Sequence, residues 1–394
     1  MRVLVNATDG VLSVRAVRRY VTEMITGLGR HPDVDLHVVF FTHHGLQVRQ
    51  YLKSLPRDVE PTVHWVPVPR RIAHARHRRP RLELRRLARE VDLYHETTID
   101  SPDFDGLPVV ATIHGVCPLV AASLLDPSFV EDKRRAYERT VALSDYFAPV
   151  SETTRREFLE VFPMDRDRVR AIPLGVSESF RPRDRDTLAP ELHALSLQAP
   201  YLLYVGGIQP NKNIPRVLRT FARLRRERIF EGRLVLAGDL HYSEEDFETL
   251  LEVEGVASEV DLPGFFDPSD PHLAAIYAGA SLFLFPSLYE GWTSPPLEAM
   301  ASGVPVIASD TSSIPETVGD AAILCDPHDE NAWVLAATRI LSDRAHAERL
   351  GRRGIEHSGQ YPWSRTVDAT VEFYRAILDG TLVGAPDREL TLDH

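Results

Sequence analysis

Two glutamates eight positions apart bracket the segment Glu290-Gly-Trp-Thr-Ser-Pro-Pro-Leu-Glu298. An ionised carboxylate can accept paired hydrogen bonds from neighbouring hydroxyls, such as those of a sugar ring. Prolines at 295 and 296 suit the opening of a helix, where a missing N–H costs little. Gly303 stops that helix, and Pro305 leads into the next strand. The loop is therefore expected to aim backbone amides and a helix N-terminus at the carboxyl end of the strand ending at Phe285. That arrangement suits a phosphate. Thr293 and Ser294 add hydroxyl donors. Glu298 is expected in the first helical turn, where it would also favour the helix dipole. A capping box would need Ser or Thr at 295, and Pro295 stands there.

A second segment, Tyr201-Leu-Leu-Tyr-Val-Gly-Gly-Ile-Gln-Pro-Asn-Lys-Asn213, delivers Gly206 and Gly207 from a strand and Lys212 just before a helix. Glycines permit close backbone approach, and a lysine is a mobile point charge for a diphosphate. A surface turn with a solvated lysine fits the spacing equally well. The Gly-Lys-Ser/Thr ending of a Walker loop and the third glycine of a dinucleotide fingerprint are both missing. In a third segment, Val109-Val-Ala-Thr-Ile-His114-Gly, an apolar strand ends on a histidine. Such an imidazole serves catalysis or hydroxyl binding, or is a satisfied structural group. The other histidines show no metal-ligand spacing, so no metal is expected. The Gly-x-Ser-x-Gly elbow of a Ser-His-Asp hydrolase does not occur.

The elements that must position these groups follow from apolar periodicity. Residues 3–7, 36–41, 63–68, 93–95, 109–114, 147–150 and 169–173 read as strands. Amphipathic stretches such as 16–28 and 134–143 lie between many of them. The strands are near-continuously apolar, as expected where helices cover both faces of a parallel sheet. The charged, proline-containing stretch Arg181–Pro200 reads as an interdomain linker. Strands then resume at 201–205, 234–237, 260–262, 282–285, 304–308 and 323–325. Helices are expected near 213–227, 243–253, 271–278, 296–302 and 329–342. The expected organisation is a first domain over 1–185, a linker over 186–200 and a second domain over 201–362. The last helix, from Trp363, returns the segment 363–394 to the first domain. Ligands of open α/β sheets bind beyond the carboxyl ends of the strands, so two such sheets facing each other put the site in a cleft.

Composition narrows the class further. The chain has 394 residues, 43% of them hydrophobic, enough for packed cores in more than one domain. A net charge of −12 argues against general nucleic-acid binding. Cys117 and Cys325 are too few and too far apart for a disulfide framework. With no long apolar run and no signal-peptide pattern at Met1-Arg-Val-Leu-Val-Asn, a cytoplasmic protein is expected. Residues 70–89 hold nine arginines, two histidines and one glutamate. That run is either a solvated helical face or a surface docking on anionic lipid or an anionic acceptor. Lys53, Lys133 and Lys212 are the only lysines, against 42 arginines, which makes each retained lysine informative.

Together the three segments resemble the retaining glycosyltransferases of family 4, which have the GT-B fold: two Rossmann-like, doubly wound α/β domains facing across a cleft. The likeness covers nearly the whole chain. It is strongest from Val260 to Pro327, including Ile314-Pro-Glu-Thr-Val-Gly-Asp-Ala-Ala. Ala148-Pro-Val-Ser-Glu-Thr-Thr-Arg is also similar to the family. The resemblance implies a nucleoside-diphosphate-sugar donor, no cofactor, and a glycan, lipid-linked or small-molecule acceptor. By similarity Glu298 would bind the donor ribose and Glu290 the hydroxyls of the transferred sugar. Lys212 would neutralise the diphosphate, with Gly206, Gly207, Trp292, Thr293, Ser294 and Leu297 around the donor. His114 would sit by the sugar and acceptor. The stretch around Ser312-Ser-Ile-Pro-Glu leans toward GDP-mannose-type donors.

Two departures from the family pattern stand out. Its Gly-Gly-x-Gly-Arg-Tyr run after the first strand is here Arg15-Ala-Val-Arg-Arg-Tyr20, with only Gly10 nearby. Either side chains such as Arg15 replace the amide contacts, or this wall no longer touches donor. The family's Gly-Phe-Gly-Leu-Pro loop is here Gly-Trp-Thr-Ser-Pro. The other readings are a GT-B nucleotide-sugar epimerase, which would need no acceptor, and a non-catalytic GT-B auxiliary protein, which would bind no donor.

Overall fold

A computed structural model describes residues 1–13, 16–67, 85–99, 102, 104, 106–267 and 270–382. The chain forms two compact units. The first comprises Met1–Ala122, Asp126–Pro173 and the chain from Ser364 onward. The second comprises Ser123–Leu125 and Leu174–Trp363.

The strands of the first unit are β1 (Arg2–Asn6), β2 (Asp35–Phe41), β3 (Thr62–Val66), β4 (Leu93–Glu96), β5 (Val109–Ile113) and β6 (Tyr146–Pro149). They lie in the order β3-β2-β1-β4-β5-β6, and every pair is parallel. The second unit holds β7 (Tyr201–Val205), β8 (Arg233–Ala237), β9 (Val260–Gly264), β10 (Leu282–Phe285), β11 (Val306–Ser309) and β12 (Ile323–Cys325). Their order, β12-β11-β10-β7-β8-β9, is the same arrangement when counted from the unit's own first strand, again all parallel. In each unit the strand order reverses beside the first strand, the place where doubly wound sheets bind ligands. β4, β5 and β6, and β10 and β11, are buried at every residue, which is why β5, β6, β10 and β11 read as largely apolar runs, whereas β4 buries His95 and Glu96.

The helices follow from their caps and apolar stripes. Ile214–Arg226 buries Ile214, Val217, Leu218, Phe221 and Leu224 on one side and gathers arginines in its last turn, toward the negative dipole end. Ser243 accepts from the Asp246 amide at 3.1 Å and starts Glu244–Glu254, which Gly255 ends in the left-handed conformation. Trp363–Leu378 buries Val367, Val371, Phe373, Tyr374 and Ile377, with Val367 against Gly27 and Phe373 edge-on to Tyr146.

Two expectations are corrected and one helix is added. Arg181–Pro200 is not a linker: it carries the helix Arg185–Ala194, and Leu188, Leu192 and Leu197 enter the core of the second unit. Its high charge hides three well-spaced leucines, and the chain changes units earlier, between Pro173 and Leu174. Residues 169–173 form no strand, only a single parallel bridge from Val169 to Phe147. The helix Arg344–Ser358 was not foreseen, because it packs through small residues rather than an apolar stripe. A Cβ on Gly351 would fall 2.4 Å from the Gly303 carbonyl.

Candidate functional site

In the second unit, β10 ends at Phe285 and the loop that follows carries Ser287 to Thr293. Glu290 lies in this loop and Lys212 at the end of the turn after β7. Their side chains meet: Lys212 Nζ donates to Glu290 Oε1 at 2.5 Å, with 18% and 14% of the two side chains exposed. Ser287 Oγ donates to the same oxygen at 2.6 Å. The turn is held independently, since the Leu288 amide donates to the Asn211 carbonyl at 3.0 Å. Asn213 then takes the left-handed conformation at φ 54°, which starts the Ile214–Arg226 helix in its own direction. Arg216, 8% exposed, braces that helix start. Its guanidinium donates to the Pro327 carbonyl at 3.1 Å, the His328 carbonyl at 2.8 Å and Glu330 at 3.2 Å. Asn213 shares the Pro327 carbonyl at 3.0 Å.

The backbone of Glu290 is gripped from the next loop. Its amide donates to Ser312 Oγ at 2.9 Å, and Ser313 Oγ donates to its carbonyl at 2.9 Å. Gly206 sits at φ 147° and Gly238 at φ 157°, at the carboxyl ends of β7 and β8. A Cβ on Gly238 would lie 1.8 Å from the Gly206 carbonyl oxygen, so only glycine lets the two strand ends approach this closely. Gly207 is half-buried, and its carbonyl accepts from Tyr204 Oη at 3.0 Å.

Beyond Glu290 the loop differs from the expected one in three ways. The helix runs Ser294–Ala301, so Glu298 lies past its first turn. It is 4% exposed. Prolines 295 and 296 occupy the second and third helical positions and carry no N–H, so this N-terminus offers a phosphate fewer amides than helices usually do. Thr293 is fully buried, and its hydroxyl faces Thr317 Oγ1 at 3.4 Å instead of open space. Leu297 is fully buried in the hydrophobic core. Trp292 packs tilted against Tyr361 with ring centroids 5.6 Å apart, and Ser294 keeps part of its surface open.

In the first unit His114 follows β5. Its Nε2 lies 2.9 Å from the Thr97 carbonyl, which can only accept, so Nε2 carries the proton and Nδ1 is the acceptor. Burial lowers the imidazole's pKa against the opposing pull of the Thr97 carbonyl and Asp9, so the ring is held neutral. Tyr20 stands edge-on to it at 4.8 Å and bonds Thr112 Oγ1 at 2.7 Å. Behind it the buried Glu96 receives Asn6 Nδ2 at 3.0 and 2.9 Å, and Tyr94 Oη at 2.8 Å. Arg15 lies outside the described residues, as do residues 70–84 of the arginine run. Gly10 is a packing glycine: a Cβ there would fall 2.6 Å from the Tyr51 ring.

Sequence reasoning placed Lys212, Glu290, Gly206 and Gly207 at one location. It gave no role to Ser287, Arg216 and Gly238, and took Ser312 and Ser313 only as part of a stretch resembling the family, without their contacts to Glu290. Gly238 had a signal, since it ends an apolar strand as Gly206 does. The contacts of Ser312 and Ser313 to Glu290 had no signal, because they depend on the parallel neighbourhood of β10 and β11.

Two six-stranded parallel sheets in series, each doubly wound in the same order, define the GT-B class of α/β enzymes. Residues 17–180 match the family described as Glycosyltransferase Family 4, and residues 189–357 the one described as Glycosyl transferases group 1. The chain belongs to this family of glycosyltransferases. It is similar to the O-antigen chain mannosyltransferase B of Escherichia coli, 28% identical over 68% of this chain and 70% of that protein. It is also similar to the D-inositol 3-phosphate glycosyltransferase of Nocardia farcinica, 29% identical over 69% of this chain and 62% of that one, so it spans less than two thirds of this second relative. Among solved structures, Anabaena HepE in complex with UDP and glucose superposes with a TM-score of 0.73 over 95% of this chain and 100% of that one. At 13% identity this is a likeness of fold.

Proposed function

We propose that the protein transfers a sugar from a nucleoside diphosphate, of GDP-mannose type, to a hydroxyl of a glycan, glycolipid or small-molecule acceptor, with retention of anomeric configuration. The observation that carries this reading is the half-buried Lys212–Glu290 pair at the carboxyl ends of β7 and β10. It places a cation for a diphosphate beside a carboxylate for sugar hydroxyls. In the reaction the bond from the anomeric carbon to the phosphate oxygen breaks, and its electron pair leaves with the diphosphate. The acceptor oxygen forms the new bond to that carbon, and its proton passes to the departing diphosphate or to solvent. Negative charge grows on the leaving group, where Lys212 stabilises it. Glu290 accepts from the sugar hydroxyls, Glu298 from the ribose, and Gly206, Gly207 and the backbone of Trp292, Thr293 and Ser294 border the diphosphate. Neutral His114 offers Nδ1 as an acceptor to the sugar or acceptor. The mannosyltransferase activity named for the Escherichia coli relative supports the choice of sugar.

The test is a panel of nucleotide sugars, first by thermal shift and then by transfer assay with Lys212→Ala and Glu298→Ala. Transfer that drops at least tenfold in both variants is expected. Unchanged transfer in both, or no transfer by the parent protein from any donor, overturns the reading. A lipid-linked acceptor would make use of the arginine run at 70–89. Sedimentation equal with anionic and neutral liposomes would remove that part.

A further inference from the structure

Three serines surround Glu290 from two different loops. Ser287, fully buried, donates to Oε1 of its carboxylate at 2.6 Å. Ser312 accepts from its amide and Ser313, also fully buried, donates to its carbonyl, each at 2.9 Å. Ser312 holds φ 52°, a left-handed conformation uncommon for a residue with a side chain. Ser313 is itself fixed, because its carbonyl accepts both the amide and the hydroxyl of Thr317, each at 3.0 Å. His357 Nε2 caps the Thr317 carbonyl at 2.8 Å. The loop after β11 thus clamps the peptide units on both sides of the Glu290 α-carbon.

We propose that Ser287, Ser312 and Ser313 are positioning residues for the sugar-binding carboxylate of Glu290. The inference rests on the function proposed above and deepens it. Lys212 and Ser287 share Glu290 Oε1. When a diphosphate draws Lys212 away, a largely buried carboxylate would lose its cation, which is costly unless other donors remain. Ser287 is the neutral donor that stays. It holds Oε1 in place and leaves Oε2 directed at the sugar. The Ser312–Ser313 clamp prevents the peptide from rotating while the carboxylate changes partners. Supporting hydrogen bonds of this kind typically carry ten- to a hundredfold in affinity or rate where they have been removed around metal ligands, and a similar scale applies to a carboxylate that must be held to within a fraction of an ångström.

The experiment uses the full chain with Ser287→Ala, Ser287→Thr and Ser313→Ala. Ser287→Ala and Ser313→Ala are expected to lower kcat about tenfold or more, with donor KM changed less than threefold. Affinity for the free nucleoside diphosphate, which has no sugar to reach Glu290, should stay within twofold by calorimetry. Ser287→Thr, which keeps the hydroxyl, should recover most of the rate. A kcat within twofold of the parent in Ser287→Ala, or a loss matched by equal loss of diphosphate affinity, overturns the proposal. A second readout needs no reaction: deuterium uptake by peptides covering 286–294 should quicken in Ser313→Ala, and unchanged uptake also overturns the clamp. If the parent transfers sugar from no donor, the functional reading fails, while the clamp stands or falls on the exchange measurement.

Discussion

Lys212 and Glu290, 78 residues apart in sequence, share a hydrogen bond of 2.5 Å in the second unit. On the function proposed above, the two groups that would grip a nucleotide sugar are paired with each other. On that reading, donor binding would exchange one ion pair for two new sets of contacts. Glu290→Gln removes the competitor for Lys212. The free nucleoside diphosphate should then bind several-fold more tightly by calorimetry, while sugar transfer falls at least a hundredfold. Weaker diphosphate binding would show that the pair builds the phosphate site instead of blocking it.

Gly238 and Gly255 both have positive φ, at 157° and 68°. A Cβ on Gly238 would overlap the Gly206 carbonyl, whereas among the described residues nothing lies within 4 Å of one on Gly255. Gly255→Ala should cost only the left-handed conformation, roughly 1–2 kcal/mol. Gly238→Ala must also push β7 and β8 apart and should cost more than about 3 kcal/mol, or leave the protein insoluble. Thermal melts of the two variants make the comparison, and equal shifts would refute it.

Arg216 binds two carbonyls and Glu330 with one guanidinium. Arg216→Ala leaves the Pro327 carbonyl to Asn213 alone and removes the donors to His328 and Glu330, at about 1–3 kcal/mol in all, and loosens the turn that carries Lys212. We expect a lower melting temperature together with a raised donor KM. Arg216→Lys should not rescue either effect, because an ammonium cannot reproduce the planar fork. Full rescue by lysine would reduce the role to one of charge.

His95 is buried between Tyr374 and Thr112, and burial pushes its pKa down from 6.5 to about 3. The unfolded chain takes up this proton near pH 6.5, while the folded one resists it until about pH 3. Its contribution to stability is therefore complete above pH 6.5 and is lost as pH falls, by at most about 1.4 kcal/mol per unit. Melting temperature should decline from pH 7 to pH 4, and His95→Gln should flatten that decline even if it lowers the starting value. An unchanged slope would assign the acid sensitivity to other groups.

Much of this protein could be read along the chain. Continuous apolar runs such as 282–285 announced buried parallel strands, since a strand covered on both faces cannot alternate. Glycine and proline at 206, 295 and 303 marked where strands stop and helices start, because these residues restrict or release the backbone locally. The candidate residues Lys212, Glu290 and His114 were visible for the same reason, each lying in the segment that follows a strand, and Glu298 in the helix beyond it. Folding decided what those signals could not carry. The leucines of Arg185–Ala194 joined a core despite their charged neighbours, because burial depends on which face a helix presents, not on average polarity. Thr293 and Leu297 turned inward, and two prolines stripped amides from a helix end that had seemed suited to phosphate. Above all, Glu290 acquired Ser287 from its own loop, Ser312 and Ser313 from the loop after β11, and Lys212 from the turn after β7. Only the parallel order β11-β10-β7 brings those segments together. Hydrogen bonds act over about 3 Å, and which residues come that close depends on strand order rather than spacing in the sequence.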